Sequence, residues 1–328
     1  MPEKERIWAS LKGTKKIFMS GKFFSIDPQL QAGLEQVIDE TQASFPQLAP
    51  NQIAVTWIQY EPPYRINTGG SLSAQEFWQY RPSGASYRGV ELIDSASAVS
   101  LFYLVAAHVW LEQGMIQTSL ETERAIANLI AESNSDALSY TLDLLSGTTS
   151  GPSLPTGPFE TWKSQRNIVN RYFSQLDWPE LRAVNLNQKL WHDGPYGREK
   201  DFLGEALENR NQLSTEATAR LLHSIVGGVS VSGERSQKMM SLLAEPAEDQ
   251  PHHSLISLIS AGTDPTAKIW SHATTGDRLC YEAAYIESAC THPYLLVVFT
   301  ENQTKADSEA IVPFVSGRIF EAAKQLFQ

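Results

Sequence analysis

The residues best suited to covalent chemistry are Ser97 and Ser100, three apart at the head of the apolar run Leu101-Phe-Tyr-Leu-Val-Ala-Ala-His-Val-Trp-Leu111. On a helix that spacing puts both hydroxyls on one side of the first turn. A serine becomes a nucleophile only when a base takes its proton. Ser100 is no such base, because a hydroxyl has no useful basicity near neutral pH. No lysine stands between Lys22 and Lys163 to replace it locally. The plainer reading is that both serines cap and pack the start of a buried helix. Other reactive types are sparse. His108 lies within the apolar run and reads as a hydrogen-bonded core residue. His252 and His253 are adjacent, point different ways and have no Cys or Glu at ligand spacing, so neither a metal nor another cofactor is expected. Trp191, His192, Tyr196 and Arg198 form an aromatic, polar loop that either lines a ligand pocket or is simply anchored by Trp191.

The elements that must hold these residues follow from pattern. Asp27 opens a helix with Leu30, Leu34, Val37 and Ile38 at helical spacing, ending near Phe45-Pro46. Ile53–Tyr60 reads as a strand rich in β-branched and aromatic residues. Gly69, Gly70 and the stretch 81–89 read as turns. A helical block runs from Ser95 to about Asp177, interrupted by the Ser-, Thr-, Gly- and Pro-rich segment 147–157, and further helices start at Ser214 and near Gly233. The period then changes. Residues 268–275, 280–287 and 294–300 read as an antiparallel meander, followed by a helix over 308–327. The apolar face of that helix is read as Ile311, Phe314, Val315, Ile319, Ala322, Ala323 and Leu326. One sheet built from both chain ends, with an all-helical lobe inserted, accounts for this order. The expected division is a basic tail over 1–26, an α/β sandwich lobe over 27–90 and 265–328, and a helical lobe over 91–264.

A net charge of −11 on 328 residues argues against nucleic acid as a partner, since phosphate binding relies on a basic footprint. The basic residues Lys4, Arg6, Lys12, Lys15, Lys16 and Lys22 nevertheless crowd the N-terminal end. They interrupt any uninterrupted apolar signal core, and no stretch approaches the ~20 apolar residues of a membrane span. The head reads as a solvated tail, with weak contact to an anionic membrane surface as the alternative. Cys280 and Cys290 read as reduced thiols, and the expected compartment is cytoplasmic.

From about residue 30 to the C-terminus, the chain resembles the class A β-lactamase and penicillin-binding-protein-like serine hydrolases. Four segments in order carry the likeness: the Ser97 helix ending Leu111-Glu-Gln-Gly114, the segment Ser133-Asn-Ser135, the helix after Asn211-Gln-Leu-Ser214, and the strand Trp270-Ser-His-Ala-Thr274. The resemblance implies an α+β, β-lactamase/transpeptidase-like fold: an antiparallel sheet flanked by helices plus an inserted helical lobe. It places Ser97 at the nucleophile, Ser100 where the family has the lysine of Ser-x-x-Lys, and Ser133 and Ser135 at the first and last positions of Ser-Asp-Asn. It places His272-Ala273-Thr274 at Lys-Thr-Gly. Each departure weakens the chemistry. Ser135 is too short for the amide fork, His272 replaces a carboxylate-binding lysine, and Thr274 projects a side chain where the strand edge should be open. No Glu-x-x-x-Asn marks a deacylating carboxylate; Glu180 lies near the expected loop without that spacing.

Ser97, Ser100, Ser133 and His272 are thus the catalytic candidates, with Ser135, Thr274, Trp191 and Tyr196 the binding ones. The leading expectation is a pseudo-enzyme that keeps the cleft for a ligand or partner the sequence does not identify. The alternative is a diverged serine esterase or amidase using Ser97 with His272 as base, its rate rising with pH through a histidine pKa around 6.5. A β-lactamase or D-Ala-D-Ala peptidase comes third.

Overall fold

The computed structural model describes residues 21–245, 257–276 and 278–327; most of the basic head and the His252-His253 pair lie outside them. In chain order the strands are β1 (Ser25–Ile26), β2 (Ile53–Gln59), β3 (Ser83–Tyr87), β4 (Ile93–Asp94), β5 (Gln212–Leu213), β6 (Lys268–Gly276), β7 (Arg278–Glu287) and β8 (Tyr294–Gln303). The helices are α1 (Pro28–Ser44), α2 (Ala74–Gln79), α3 (Ser100–Glu112), α4 (Leu120–Ala131), α5 (Ser135–Ser146) and α6 (Thr156–Arg166). They continue with α7 (Ile168–Ser174), α8 (Arg198–Leu203), α9 (Thr215–Val226), α10 (Gly233–Leu243) and α11 (Lys305–Phe327).

The main sheet has the order β1-β3-β2-β8-β7-β6, so strands from both ends of the chain share it. All its pairings are antiparallel except β1 with β3. The period of two along β8 sends Leu296 and Val298 to one face and Leu295, Val297 and Phe299 to the other. The first face is covered by α1 and α11, which bury Leu30, Leu34, Ile311, Val315 and Ile319 there. The second meets the helical part of the chain.

Within that part α3 is the central post. Every residue from Ser100 to Trp110 is buried, as expected of a helix that is apolar all round. Phe102 meets Phe173 edge-on at 5.2 Å, and Trp110 Nε1 donates to the Leu145 carbonyl at 3.1 Å. Local signals fix the helix ends. Asp27 accepts from Gln29 N and Leu30 N at the start of α1, Ser214 caps α9, and Gly147 closes α5 in the left-handed region at φ 62°.

The structure corrects several sequence expectations. Residues 83–87 form a central-sheet strand rather than a turn, and they are small for a reason. A Cβ on Gly84 would come within 2.6 Å of the Phe24 ring and 2.7 Å of Ile58 Cδ1, so neighbours supply the bulk that β3 lacks. Helix α2 was readable in Ser73-Ala-Gln-Glu76, whose serine and glutamate cap each other's backbone N–H. The helical block does not begin regularly at Ser95: residues 96–99 form a single 3-10 turn before α3. On α11, Val312 and Phe320 are buried, whereas Leu326 is 36% exposed. Cys280 is buried, Cys290 is exposed, and neither is paired.

Candidate active site

Three segments converge at the outer edge of the sheet. The first is the turn 96–99, anchored because β4 pairs with β5 and Ser95 N donates to the Asn211 carbonyl at 3.2 Å. The second is the link between α4 and α5, where Ser133 has φ 44°, a left-handed conformation that costs a non-glycine residue of order 1–3 kcal/mol. The third is β6, the last strand of the sheet.

Their hydroxyls meet. Ser97 Oγ donates to Thr274 Oγ1 at 2.9 Å, and Ser133 Oγ lies 3.0 Å from the same Thr274 oxygen. Ser133 Oγ also donates to the Ala273 carbonyl at 2.9 Å. An edge strand presents unpaired carbonyls, and two of those on β6 are engaged. Ser133 takes that of Ala273, while Glu245 N donates to that of Ile269 at 3.0 Å. Ser97 and Thr274 are both buried.

His272 shares the face of β6 that carries Thr274, two residues away. Its ring is buried and lies close to the main chain of Ser97 and Ile130, and among the described residues neither ring nitrogen has a hydrogen bond of good geometry. Burial lowers its pKa to about 4, only partly opposed by those main-chain neighbours, so the ring is neutral at pH 7. The expected titration near 6.5 therefore does not hold for this side chain.

The other candidates fall elsewhere. Ser100 is fully buried, and its Oγ has no hydrogen-bond partner among the described residues. Ser135 is the exposed first residue of α5, and Asn134 turns to cap that helix, accepting from Asp136 N and Ala137 N. Trp191 and Tyr196 lie edge-to-face at 6.3 Å on their loop, with Tyr196 62% exposed; no hydrogen bond or ring contact joins either to the hydroxyl cluster. Glu180 is committed to a buried ion pair with Arg220 at 2.6 Å. His108 is buried in α3, as expected of a core residue, and neither ring nitrogen finds its expected hydrogen-bond partner among the described residues. Among the described residues no cluster of three or more His, Cys, Asp or Glu is placed to hold a metal ion, and no helix is long and apolar enough to cross a membrane.

Sequence reading missed the ionic cluster behind the Trp191 loop. Arg166 contacts Glu199 at 2.6 Å and Asp143 at 3.1 Å, and Lys189 Nζ donates to Asp143 at 2.6 Å. These residues are scattered along the chain, and the only local signal was charge in an otherwise buried context.

A sequence model of the family described as "Beta-lactamase enzyme family" matches residues 163–322, just under half of the chain. Among solved structures the chain is similar to PBP-A, with a TM-score of 0.60 and 11% identity over 92% of this chain and 98% of that one. It is similar to a β-lactamase from Sphaerobacter thermophilus DSM 20745, with a TM-score of 0.59 and 13% identity over 90% and 98% of the two chains. A class A β-lactamase described as the last common ancestor of Gram-negative bacteria gives 0.58 and 15%, over 89% and 99%. No curated protein matches the sequence. The chain therefore has the β-lactamase/transpeptidase fold over nearly its whole length, and its resemblance to the class A β-lactamase and penicillin-binding-protein-like family holds in sequence model and in architecture alike.

Proposed function

We propose that this protein is a non-acylating relative of the β-lactamases, a pseudo-enzyme that retains the fold and the cleft for binding. The observation that carries this reading is the hydrogen bond from Ser97 Oγ to Thr274 Oγ1: the Ser97 proton points to a hydroxyl, which is not basic enough to take it. Ser100, at the position of the family's lysine, is buried with no hydrogen-bond partner for its Oγ among the described residues, and on β6 the Ala273 carbonyl is taken by Ser133. Loss of a general base alone costs about 10²–10⁴ in rate. A cytoplasmic setting belongs to the same proposal, supported by two unpaired thiols. Intact-protein mass spectrometry after incubation with benzylpenicillin should show unmodified mass; a stoichiometric adduct on Ser97 overturns the proposal.

One observation favours the hydrolase alternative: His272 is neutral at pH 7 and lies against the Ser97 main chain. If the pair were active, short-chain nitrophenyl ester hydrolysis would plateau above about pH 5, following the lowered pKa. It would also be lost in both Ser97→Ala and His272→Ala. The pseudo-enzyme reading expects no turnover above background at any pH.

A further inference from the structure

At the far end of the same sheet face lies a cavity of about 390 Å³, within the range of small-molecule sites. Trp270 pairs with Tyr285 and Thr274 with Tyr281, so four residues of strand, roughly 13 Å, separate this end from the hydroxyl cluster. Four segments wall it. Tyr64 follows β2, Tyr285 and Glu287 end β7, Thr291 belongs to the β7–β8 turn, and Phe327 ends α11.

The wall has an unusual chemistry. Glu287 Oε1 accepts from Asn67 Nδ2 and from Tyr285 OH, each at 2.8 Å. Two neutral donors thus orient the carboxylate through one oxygen, and no ion pair to it forms among the described residues. Thr291 is 2% exposed, lines the cavity, and its Oγ1 has no hydrogen-bond partner among the described residues. Tyr64 and Phe327 are large aromatic side chains left 45% and 43% exposed at the cavity wall. The Tyr64 ring is fixed by its hydroxyl, 2.8 Å from His292 Nδ1.

We propose that this cavity binds a small primary alkylammonium ion: its N–H groups donate to Glu287 and Thr291, and its alkyl chain lies over Tyr64 and Phe327. A charged acceptor, an orphaned buried acceptor and aromatic faces are what such a cation needs and what a neutral alcohol or an anion would not use together. The tyrosine already bonded to Glu287 leaves the other carboxylate oxygen for the ligand.

The probe is n-butylammonium chloride, titrated into the full chain by calorimetry at constant ionic strength. Tetramethylammonium and 1-butanol are the controls. Saturable 1:1 binding on the order of millimolar is expected for a ligand of this size. Glu287→Gln keeps an acceptor for Asn67 and Tyr285 but removes the charge, and it should weaken binding about tenfold or more. Tyr64→Ala, at an exposed position, should weaken it by a smaller factor. Tetramethylammonium, which has no N–H, should bind more weakly than butylammonium. Binding of 1-butanol as tight as butylammonium, or no change in Glu287→Gln, overturns the proposal. Equal binding of tetramethylammonium also overturns it, since that cation can donate to neither Glu287 nor Thr291.

Discussion

Ser97 Oγ donates to Thr274 Oγ1, so the two buried hydroxyls are partners in the fold as well as members of the candidate site. Thr274 joins two segments far apart in sequence, since Ser133 meets the same oxygen from the other side. Replacing it by the near-isosteric valine leaves the Ser97 hydroxyl buried without an acceptor, which costs about 1–3 kcal/mol. Ser97→Ala removes the donor together with its need and should cost less, about 0.5–1.5 kcal/mol. The double variant should then be less destabilised than the sum of the singles, because the two residues are in contact. Urea unfolding of the four proteins measures this; additive losses would mean that the bond contributes nothing to stability. Of this arrangement, the sequence disclosed the residue types at Ser97, Ser133 and Thr274, through the family likeness. It did not disclose the bond, because a threonine at an expected glycine position reads as an obstruction until its rotamer and neighbours are seen.

The loop carrying Trp191 and Tyr196 is tied at both ends to one buried ionic cluster. Lys189 at its start bonds Asp143, and Glu199 just past its end bonds Arg166 and Ser150. Arg166 and Glu199 have no exposed side-chain surface, so removing Arg166 leaves Glu199 a buried charge with Lys189, 4.0 Å away, as its remaining ion-pair partner among the described residues. Arg166→Met should therefore destabilise by about 3–5 kcal/mol and loosen the 189–199 segment toward proteolysis. Arg166→Met combined with Glu199→Leu should recover part of that loss, since the abandoned charge is gone as well. A double variant as unstable as Arg166→Met alone would show that packing, not the ion pair, sets the cost.

Across the whole molecule, buried titratable groups pull stability in opposite directions with pH. Burial lowers His223 to about 3, and His108 and His272 to about 4. A depressed histidine contributes stability above its unfolded pKa of ~6.5, and that contribution is lost as pH falls through the folded value. Glu282 acts the other way. It accepts from Ser257 Oγ and from Leu258 N and Ile259 N, where the chain packs on α11, yet burial pushes its carboxyl up to about 8. Its contribution is full below the ordinary value of 4.5 and is lost as pH rises through about 8. With three histidines rising and one glutamate falling, these groups place the stability maximum near pH 6.5. Glu282→Gln should flatten the decline between pH 6.5 and 8, read as melting temperature against pH. An unchanged slope in that variant would assign the decline to other groups.

Periodicity and capping determined much from sequence alone. Asp27 and Ser214 announced their helices, the β-branched runs announced β2 and the C-terminal meander, and the continuous apolar run of α3 announced its burial. These signals are local, so they survive without a partner in view. Elements whose residues are chosen by their neighbours were invisible: Gly84 makes β3 small because Phe24 and Ile58 need its space. The same division runs through the sites. Sequence named the serines, the histidine and the threonine of the candidate site, but only tertiary structure decided that Ser133 bonds the Ala273 carbonyl of β6 and that His272 is neutral by burial. It alone gathered Tyr64, Glu287, Thr291 and Phe327 from four distant segments around one cavity. Hydrogen-bond direction, desolvation and cavity shape depend on which chain segments meet in space, and no local pattern encodes them.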